Sequence, residues 1–356
     1  MSLREIFRAE GLPVLQNRLF QTREEALSSV TGDVVLVQNS QTGLIYNDVY
    51  DAAKLVYDEN YQNEQAYSET FKKHLEQVAT IIDKHLCNQR LIEVGCGKGY
   101  FLELLKSKGY VITGVDPAYE GSNSQVICAP FTRDLGISGD GLILRHVLEH
   151  IHEPLDFLHE IAVANGGKGK ILIEVPTFDW IVGHRAWFDI FYEHVNYFRI
   201  SDFYRMFGRV YESGLLFGGQ YCYVVADLAS LKTPRYDASI DAVTLPGDFQ
   251  QGLSGIVAKL RSKPQQKFAI WGAASKGVIC SVYMKKFGVI PDFAIDVNPF
   301  KQGRFIAVSG VEVLAPAQAL VKLSTGDKVF IMNANYRDEI IAQSGNRFAY
   351  LDIEDE

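Results

Sequence analysis

The spacing of apolar and polar residues predicts alternating strands and helices through the middle of the chain. Residues 91–94 form a short apolar strand, and the following YFLELLKSKG has the spacing of an amphipathic helix. The next apolar run, YVITGVD, ends at Asp116, and further strands follow at SQVICA, GLILRH and KILIEVP. Two more runs, RVYESGLLF and QYCYVVADL, meet at Gly218 and Gly219 and read as a hairpin. We therefore expect an α/β fold with a doubly wound sheet of five parallel strands plus an antiparallel hairpin.

The pattern on either side of this sheet predicts further units. FKKHLEQVATII is an amphipathic helix that leads into the first parallel strand, and possible strands at VVLVQ and GLIYN precede it. After a polar, turn-rich stretch, a second α/β unit begins at FAIWGA and continues through SKGVICSVYMKKFG, FAIDV, VFIMN and FAYLD. The predicted divisions are a small N-terminal domain over 1–71, the main domain over 72–230, a linker over 231–250 and a C-terminal α/β domain over 251–356.

One long aromatic segment interrupts the main domain. Eleven aromatic residues fall within the thirty positions 178–207, inside a predicted substrate segment over 177–208. Connections in α/β units usually have about 2 to 6 residues besides a helix, so a stretch this long and aromatic favours a lid or a substrate wall. A second hydrophobic layer over the sheet is the alternative.

Composition narrows the class of protein. The 356 residues are 47% hydrophobic with a formal net charge of -8 and no basic cluster, which disfavours nucleic acid as a partner. No apolar run approaches the ~20 residues of a membrane span, and the N-terminal residues lack the apolar core of a signal peptide. We therefore expect a cytoplasmic protein that does not contact membranes. Five cysteines occur without a C-x-x-C pair, which disfavours a disulfide framework or a cysteine zinc site.

The turn after the first parallel strand is the strongest candidate for a cofactor site. Gly95, Gly97 and Gly99 lie between strand and helix, where the absence of side chains lets a ligand reach the free N–H groups at the helix start. Asp116 lies twenty-one residues after Gly95, where a doubly wound fold places a carboxylate for ribose hydroxyls. The spacing G-x-G-x-G, with Glu93 two positions ahead, differs from the G-x-G-x-x-G of dinucleotide sites. An ordinary glycine turn of another α/β protein is the alternative.

Two polar clusters are candidates for chemistry. Four of the eight histidines lie within fourteen residues, HVLEHIHEPLDFLH, whose start matches the H-x-x-E-H zinc motif. Because this stretch directly follows a buried strand, we favour delivery of His146 and His150 to the ligand crevice, where a neutral imidazole removes a proton. The second cluster is Glu193 and His194 in the aromatic segment, whose surroundings would desolvate both groups and shift their pKa values.

A third candidate lies in the C-terminal unit. Small residues from Gly272 to Ala274 separate a strand from a helix that starts near Ser275 and Lys276. Such a turn suits an anionic group with Lys276 as counter-charge, and close packing of the turn is the structural alternative.

The glycine turn LIEVGCGKGYFLELL resembles the first motif of class I S-adenosylmethionine-dependent methyltransferases. That cofactor has no pyrophosphate and offers an amino-acid tail, a sulfonium and an adenosine. With LEHI, FYEHVNYF and WGAASKG, the chain from about residue 12 onward is similar to the sugar C-methyltransferases. The resemblance implies a Rossmann-like class I methyltransferase fold and S-adenosylmethionine as cofactor. The cofactor-binding residues that it implies are Glu93, Gly95, Cys96, Gly97, Gly99, Asp116, Pro117 and His146.

The same resemblance implies methylation of carbon 3 of a nucleotide-linked 4-keto-6-deoxy sugar through an enolate. His194 would be the base, with His150 and Glu193 as partners. Tyr192 completes the expected catalytic group, because it lies beside Phe191, which replaces the tyrosine of the family. The residues expected to hold the nucleotide sugar are Gly272, Ser275, Lys276, Asn298, Lys301 and Arg304.

One departure from that family concerns metal. Its members carry zinc-binding cysteines in a small N-terminal domain, whereas no cysteine precedes Cys87 here, so we expect the domain to keep its shape without metal. The alternative activity is O- or N-methylation of a nucleotide sugar or another small metabolite. A cofactor-binding protein without turnover is the alternative from another class.

Overall fold

The structure is a computed structural model that describes residues 3–56, 60–261 and 265–353. Its strands, in chain order, are β1 Leu3–Pro13, β2 Leu19–Phe20, β3 Thr31–Asn39, β4 Ile45–Asn47, β5 Arg90–Val94, β6 Val111–Val115, β7 Val126–Ile127, β8 Gly141–Arg145, β9 Lys170–Pro176, β10 Asn196–Tyr197, β11 Val210–Leu216, β12 Tyr221–Asp227, β13 Phe268–Trp271, β14 Phe293–Ile295, β15 Phe305–Ile306, β16 Val313–Leu314, β17 Lys328–Ile331 and β18 Ala349–Asp352. Its α-helices are α1 Arg23–Leu27, α2 Glu69–Leu86, α3 Tyr100–Ser107, α4 Pro154–Ala164, α5 Phe178–Gly183, α6 Ile200–Met206, α7 Ala238–Asp241, α8 Gln251–Arg261, α9 Ser275–Lys286, α10 Pro316–Leu320 and α11 Arg337–Ser344. Among the helices of these three ranges, none combines the length and the apolar character of a membrane span.

The central sheet confirms the predicted fold class. Its seven strands have the order β11-β12-β9-β8-β5-β6-β7, in which β5 to β9 are parallel and β12 and β11 add the antiparallel hairpin. Helices α2 and α3 cover one face and α4 and α6 the other. Because both faces are buried, the parallel strands are apolar runs without alternation. The carboxyl ends of β5, β8 and β9 meet at one edge, which is where ligands of such sheets bind.

The C-terminal unit is a second parallel sheet, as predicted. Its order is β16-β14-β13-β17-β18. Helix α9 follows β13 and is buried along most of its length, because it lies between this sheet and rings of the aromatic segment, including Trp187. The carboxyl ends of β13, β14 and β17 form the ligand edge of this unit.

The N-terminal domain and the aromatic segment share one core. The antiparallel sheet has the order β1-β3-β4-β10, and β10 belongs to the aromatic segment itself. Rings such as Phe188 and Tyr192 are fully buried against Leu12 and Val34 of this sheet. Most of the segment is therefore a hydrophobic layer, although a few of its residues face the cavity described below.

Candidate active site

A cavity of about 420 Å³ lies between the ligand edges of the central and C-terminal sheets. This volume is in the range of pockets for small molecules, about 300 to 1,000 Å³. Turns that follow strands of both sheets form its wall, and Asn17 of the N-terminal domain contributes to it. The predicted site residues in this wall are Glu93, Gly95, Cys96, Gly97, His146, His150, Glu193, His194, Gly272, Ser275, Lys276, Asn298 and Lys301.

The glycine turn of the central sheet requires glycine for its backbone conformation and its close packing. Gly95 and Gly97 have positive φ, and a Cβ on Gly95 would come within 2.3 Å of Val147 Cγ2. The Asp116 carboxylate accepts hydrogen bonds from the N–H groups of Gly97 and Ala118, each at 2.8 Å. The Asp116 carboxylate therefore holds the backbone of the turn in its conformation.

Three predicted cofactor residues lie outside the cavity wall. Gly99 is the N-terminal cap of α3, Pro117 is exposed, and Asp116 is engaged with the backbone of the turn. Contact between these residues and the cofactor stays a prediction.

Charged side chains that sequence analysis missed lie beside the turn. Glu174 on β9 accepts a hydrogen bond from Nε of Arg145 at 2.7 Å, and its other carboxylate oxygen lies 2.7 Å from Nε2 of His74 on α2. Burial alone would raise the pKa of Glu174, but Arg145 and His74 hold it well below its usual range. Arg145 lines the cavity at the end of β8. The sequence did contain a signal for Arg145 and Glu174, since the apolar strands LILR and ILIE each contain one charged residue.

Glu93 has the environment of a ligand-binding carboxylate. It is 3% exposed, and its Oε2 has no hydrogen-bond partner among the residues that the structure covers. Burial raises the pKa of Glu93 to about 8, although Arg145 opposes the shift. A buried carboxylate with a free oxygen at the glycine turn fits a ligand with a cationic group, such as S-adenosylmethionine.

His150 and His194 lie against each other in the wall. Their ring centroids are 5.0 Å apart, and Nδ1 of His150 is 2.9 Å from the backbone carbonyl oxygen of Glu193. Because a carbonyl only accepts, Nδ1 of His150 carries a proton and Nε2 is the nitrogen available to the cavity. Burial lowers the pKa of His194 well below its usual value, and His150 and His146 add to the effect. His194 is therefore a neutral imidazole at pH 7.

Two carboxylates complete this cluster. Oε2 of Glu193 accepts a hydrogen bond from the backbone N–H of Gln16 at 2.8 Å, so the N-terminal domain holds this side chain. Glu149, which sequence analysis did not select, is buried in the wall with Oε1 3.3 Å from Nδ1 of His146. The H-x-x-E-H motif was the available signal for Glu149, because it places a glutamate between the two histidines.

The assignment of Tyr192 to the catalytic group is wrong in this structure. Its hydroxyl accepts a hydrogen bond from the N–H of Asp51 at 2.8 Å, and its ring packs against Gly32 and Tyr50 of the N-terminal domain. The side chain is not in the cavity wall. The aromatic segment lies between the cavity and the N-terminal sheet, and the Tyr192 ring is on the side of the segment that faces the sheet.

The turn after β13 repeats the hydrogen bonds of the glycine turn. Gly272 has a φ of 112°, and the Asp296 carboxylate accepts from the N–H groups of Ala273 and Asn298, each at 2.9 Å. Asp296 thus corresponds to Asp116, but it lies in the cavity wall. Asp296 was not predicted as a site residue, although FAID ends like YVITGVD with an acid at the carboxyl end of the second strand.

Two lysines lie in the wall on the C-terminal side of the cavity, Lys301 buried and Lys276 half-buried, and each is near an aspartate. Nζ of Lys276 lies 3.6 Å from Oδ2 of Asp189 and 4.2 Å from the ring centroid of Trp180, and it has no hydrogen-bond partner within the described ranges. Nζ of Lys301 donates to Oδ1 of Asn17 at 3.2 Å, and burial lowers the pKa of this lysine.

The predicted role of Arg304 is also wrong in this structure. Its Nη1 donates to Oδ1 of Asn60 at 2.9 Å, and the side chain is not in the cavity wall. Asn298 does lie in the wall, and its buried Nδ2 has no partner in the described part of the chain. The loop after β14 therefore contributes Asn298 and Lys301, while Arg304 turns toward the N-terminal domain.

Comparison with known proteins assigns two regions of the chain. Residues 60–210 match a methyltransferase domain, and residues 247–349 match a C-methyltransferase C-terminal domain. Over 306 residues the chain is 22% identical to the C-methyltransferase NovU of Streptomyces niveus, which covers 72% of this chain and 71% of NovU.

Solved structures of methyltransferases are similar to part of the chain. An S-adenosylmethionine-dependent methyltransferase from Archaeoglobus fulgidus is 18% identical, with a TM-score of 0.37, over 44% of this chain and 93% of its own. The 1,6-didemethyltoxoflavin-N1-methyltransferase of Burkholderia thailandensis is 14% identical, with a TM-score of 0.35, over 52% of this chain and 95% of its own.

Proposed function

The chain belongs to the C-methyltransferase family, and from this premise we propose that it methylates carbon 3 of a nucleotide-linked 4-keto-6-deoxy sugar. The protein is a methyltransferase, and S-adenosylmethionine is its cofactor. When bound, the cofactor supplies a methyl group carried on a sulfonium. One observation carries the proposal: a single cavity joins the glycine turn of the methyltransferase domain to the turn of the C-terminal domain, with His150 and His194 in its wall.

Methylation beside a ketone needs a base for the C–H proton and donors for the enolate oxygen. His194 is the base in our proposal, because burial keeps its imidazole neutral and able to accept the proton. The C–H electron pair then becomes part of the enolate, whose carbon takes the methyl group while the proton stays on His194. His150 and Glu193 assist, since Nδ1 of His150 is held by the Glu193 carbonyl and leaves Nε2 to exchange a proton with the substrate.

The C-terminal side of the cavity offers two cationic side chains to a nucleotide diphosphate. Lys301 is buried and Lys276 is half-buried in the wall, each near an aspartate, and backbone N–H groups at the start of α9 lie beside them. Charge-assisted hydrogen bonds from such groups bind phosphate oxygens well. This arrangement supports a nucleotide-linked acceptor.

O- or N-methylation of a nucleotide sugar or another small metabolite is the second candidate. The neutral His194 favours it as well, because the same imidazole would accept a proton from a hydroxyl or an ammonium. C-methylation breaks a C–H bond, whereas O- or N-methylation breaks an O–H or N–H bond. A deuterium label on the carbon distinguishes the two reactions.

Mass spectrometry of the products tests the proposal. The protein is mixed with S-adenosylmethionine and a panel of nucleotide 4-keto-6-deoxy sugars, each unlabelled or carrying deuterium at carbon 3. C-methylation adds one methyl group and loses the deuterium, whereas O- or N-methylation adds the methyl group and retains it. No methylation and no exchange of the carbon 3 hydrogen with solvent across the panel would contradict a keto-sugar acceptor.

A further inference from the structure

A proton taken up by His194 creates a positive charge in an unfavourable place. Burial of the imidazole disfavours that charge, and the neighbouring His150 and His146 oppose it further. A base in such a position accepts a proton more readily when an anion lies close to the imidazolium that forms. The proposed base therefore depends on a carboxylate nearby.

Glu193, the neighbour of the base in sequence, directs its carboxylate to another domain. Its Oε2 accepts a hydrogen bond from the backbone N–H of Gln16 at 2.8 Å. The contact between Glu193 and His150 is made by the backbone carbonyl oxygen, which lies 2.9 Å from Nδ1. Glu193 thus holds the imidazole pair in place through its backbone and ties its side chain to the N-terminal domain.

Glu149, on the turn after β8, is the carboxylate that lies beside the imidazole pair. One oxygen of its carboxylate, one ring nitrogen of His150 and one of His194 all lie within 4.8 Å of one another. The residue is 2% exposed, and its buried Oε2 has no hydrogen-bond partner among the described residues. Its Oε1 lies 3.3 Å from Nδ1 of His146. A buried carboxylate oxygen without a donor is costly, and an imidazolium beside it would offset that cost.

We infer that Glu149 is a positioning residue of the reaction, whose carboxylate is the counter-ion of the imidazolium that forms when His194 takes the proton from carbon. The inference rests on the proposed function for the source of that proton. The C–H electron pair passes to the enolate, the proton binds His194, and Glu149 keeps its negative charge throughout. The proton returns to water after product release, which restores the neutral imidazole.

The other titratable groups that face the pair come from several elements. They are His146 on the loop after β8, Glu193 and Tyr197 in the aromatic segment, and Asp189 and Lys276 elsewhere in the wall. Asp189 and Lys276 pair with each other at 3.6 Å, and the Tyr197 hydroxyl exchanges hydrogen bonds with the backbone of its own segment. Oε2 of Glu149 has no such partner in the described ranges, so this carboxylate is the one poised for a new positive charge.

Histidine NMR of the protein without ligands tests this role of Glu149. The ring resonances of His150 and His194 would be followed against pH in the wild-type protein and in Glu149→Gln. We expect the pH at which the pair takes up its first proton to fall by about one unit or more in the variant, because the anion is gone. Glu149→Asp keeps the charge and should restore most of the difference. Glu153→Gln is the control, since Glu153 is exposed on the same loop outside the cavity wall.

The pH dependence of turnover gives a second readout. In Glu149→Gln the acidic limb of kcat/KM should move to lower pH by the same amount, and the plateau should fall about tenfold, because a weaker base removes the proton more slowly. A merely structural defect would lower the rate without moving the limb. If the titration of the imidazole pair is unchanged in Glu149→Gln, the inference is overturned, and Glu149 then only supports His146.

The wild-type protein decides if thermal melting shows that Glu149→Gln does not fold. The ¹³C resonance of the Glu149 carboxyl carbon reports whether this group is ionised at each pH. It should stay in the ionised form until the imidazole pair has taken up its first proton. Protonation of Glu149 at a higher pH than the pair would overturn the inference, because no anion would then face the imidazolium. These titrations need no acceptor, so they are independent of whether any sugar of the panel is methylated.

Discussion

At the scale of single residues, burial shifts the pKa values of Glu93 and His194 in the cavity wall. Glu93 has a pKa of about 8 because it is buried, with Arg145 lowering and Asp116 raising that pKa, so the free protein carries it protonated at pH 7. We predict that the cofactor ammonium contacts Glu93 and favours its carboxylate form, so binding should release a proton. We expect the affinity for S-adenosylhomocysteine to rise from pH 6 toward about 8, the free-state pKa, and to level off above it.

Calorimetry in buffers of different ionisation enthalpy measures this proton directly. Close to one proton should leave per ligand bound at pH 6.5, and Glu93→Gln should abolish that release. Binding without proton release in the wild-type protein would show that Glu93 is already ionised or does not contact the ammonium.

His194 is the residue on which turnover should depend most strongly. Removal of a general base costs roughly 10²- to 10⁴-fold in rate, and we expect His194→Ala to lower methyl transfer by this factor. The same variant should stop exchange of the acceptor's carbon 3 hydrogen with deuterated solvent. If turnover stays within a few-fold of the wild-type rate, His194 is not the base, and His150 becomes the residue to replace next.

Tyr192, two positions before His194, offers a control substitution for His194→Ala. Its hydroxyl exchanges hydrogen bonds with the backbone of Asp51 outside the cavity wall, so Tyr192→Phe should leave turnover within about twofold. The lost hydrogen bonds should lower the free energy of unfolding by about 1 kcal/mol, measured by denaturant titration. A large loss of turnover with unchanged stability would return Tyr192 to the catalytic group.

At the scale of elements, the turn after β13 depends on one close approach of backbone. A Cβ on Gly277, in the first turn of α9, would lie 1.8 Å from the carbonyl oxygen of Gly272, and that oxygen cannot move without displacing the turn. We expect Gly277→Ala to lower the free energy of unfolding by about 1 to 3 kcal/mol. Gly255 is the control, because it is exposed on α8 with nothing within 4 Å of its Cβ position.

Gly255→Ala should instead raise stability by up to about 1 kcal/mol, since alanine favours a helix interior. Denaturant midpoints of both variants test the pair. A Gly277→Ala protein as stable as the wild type would mean that α9 and β13 do not approach each other so closely.

Predictability from sequence also differs between elements. The parallel strands were found because burial on both faces makes them continuous apolar runs, and the helices by their spacing. Strand β1 was missed, because exposed polar residues occupy much of its length and Gly11 and Pro13 interrupt its end. The two-residue strands β2 and β15 pair with each other across a long sequence separation, and the tertiary fold brings them together.

The same distinction holds within the site. The glycine turn and the histidine motif are local in sequence, so spacing alone revealed them. Arg145 and Glu174 each stand out locally as one charge in an apolar strand, but their contacts with each other and with His74 on a distant helix arise only in the tertiary fold. Tyr192 was misassigned for the converse reason: proximity in sequence to Glu193 does not fix which side of the segment a ring occupies.

At the scale of the whole molecule, the N-terminal domain has an apolar core that it shares with the aromatic segment. Leu12, Val34, Leu36 and Ile45 of its sheet are buried in the same cluster as rings of the aromatic segment. This packing ties the domain to the segment that carries Glu193, and the N–H of Gln16 bonds that carboxylate. Hydrophobic burial of this kind stabilises a domain without a structural zinc ion.

We therefore predict that metal analysis of the purified protein finds no stoichiometric zinc. Incubation with a chelator should leave the melting temperature within about 1 °C and turnover unchanged, because the described residues of the N-terminal domain group no metal-ligating side chains. Zinc at one equivalent would contradict this prediction.

The position of such a zinc ion could be determined by mutation. Two groups of side chains outside that domain have ligand atoms within 4.8 Å of one another: His74, His146 and Glu174, and Glu149, His150 and His194. Loss of the zinc in His150→Ala but not in His74→Ala would place it in the cavity and would exclude His194 as a free base.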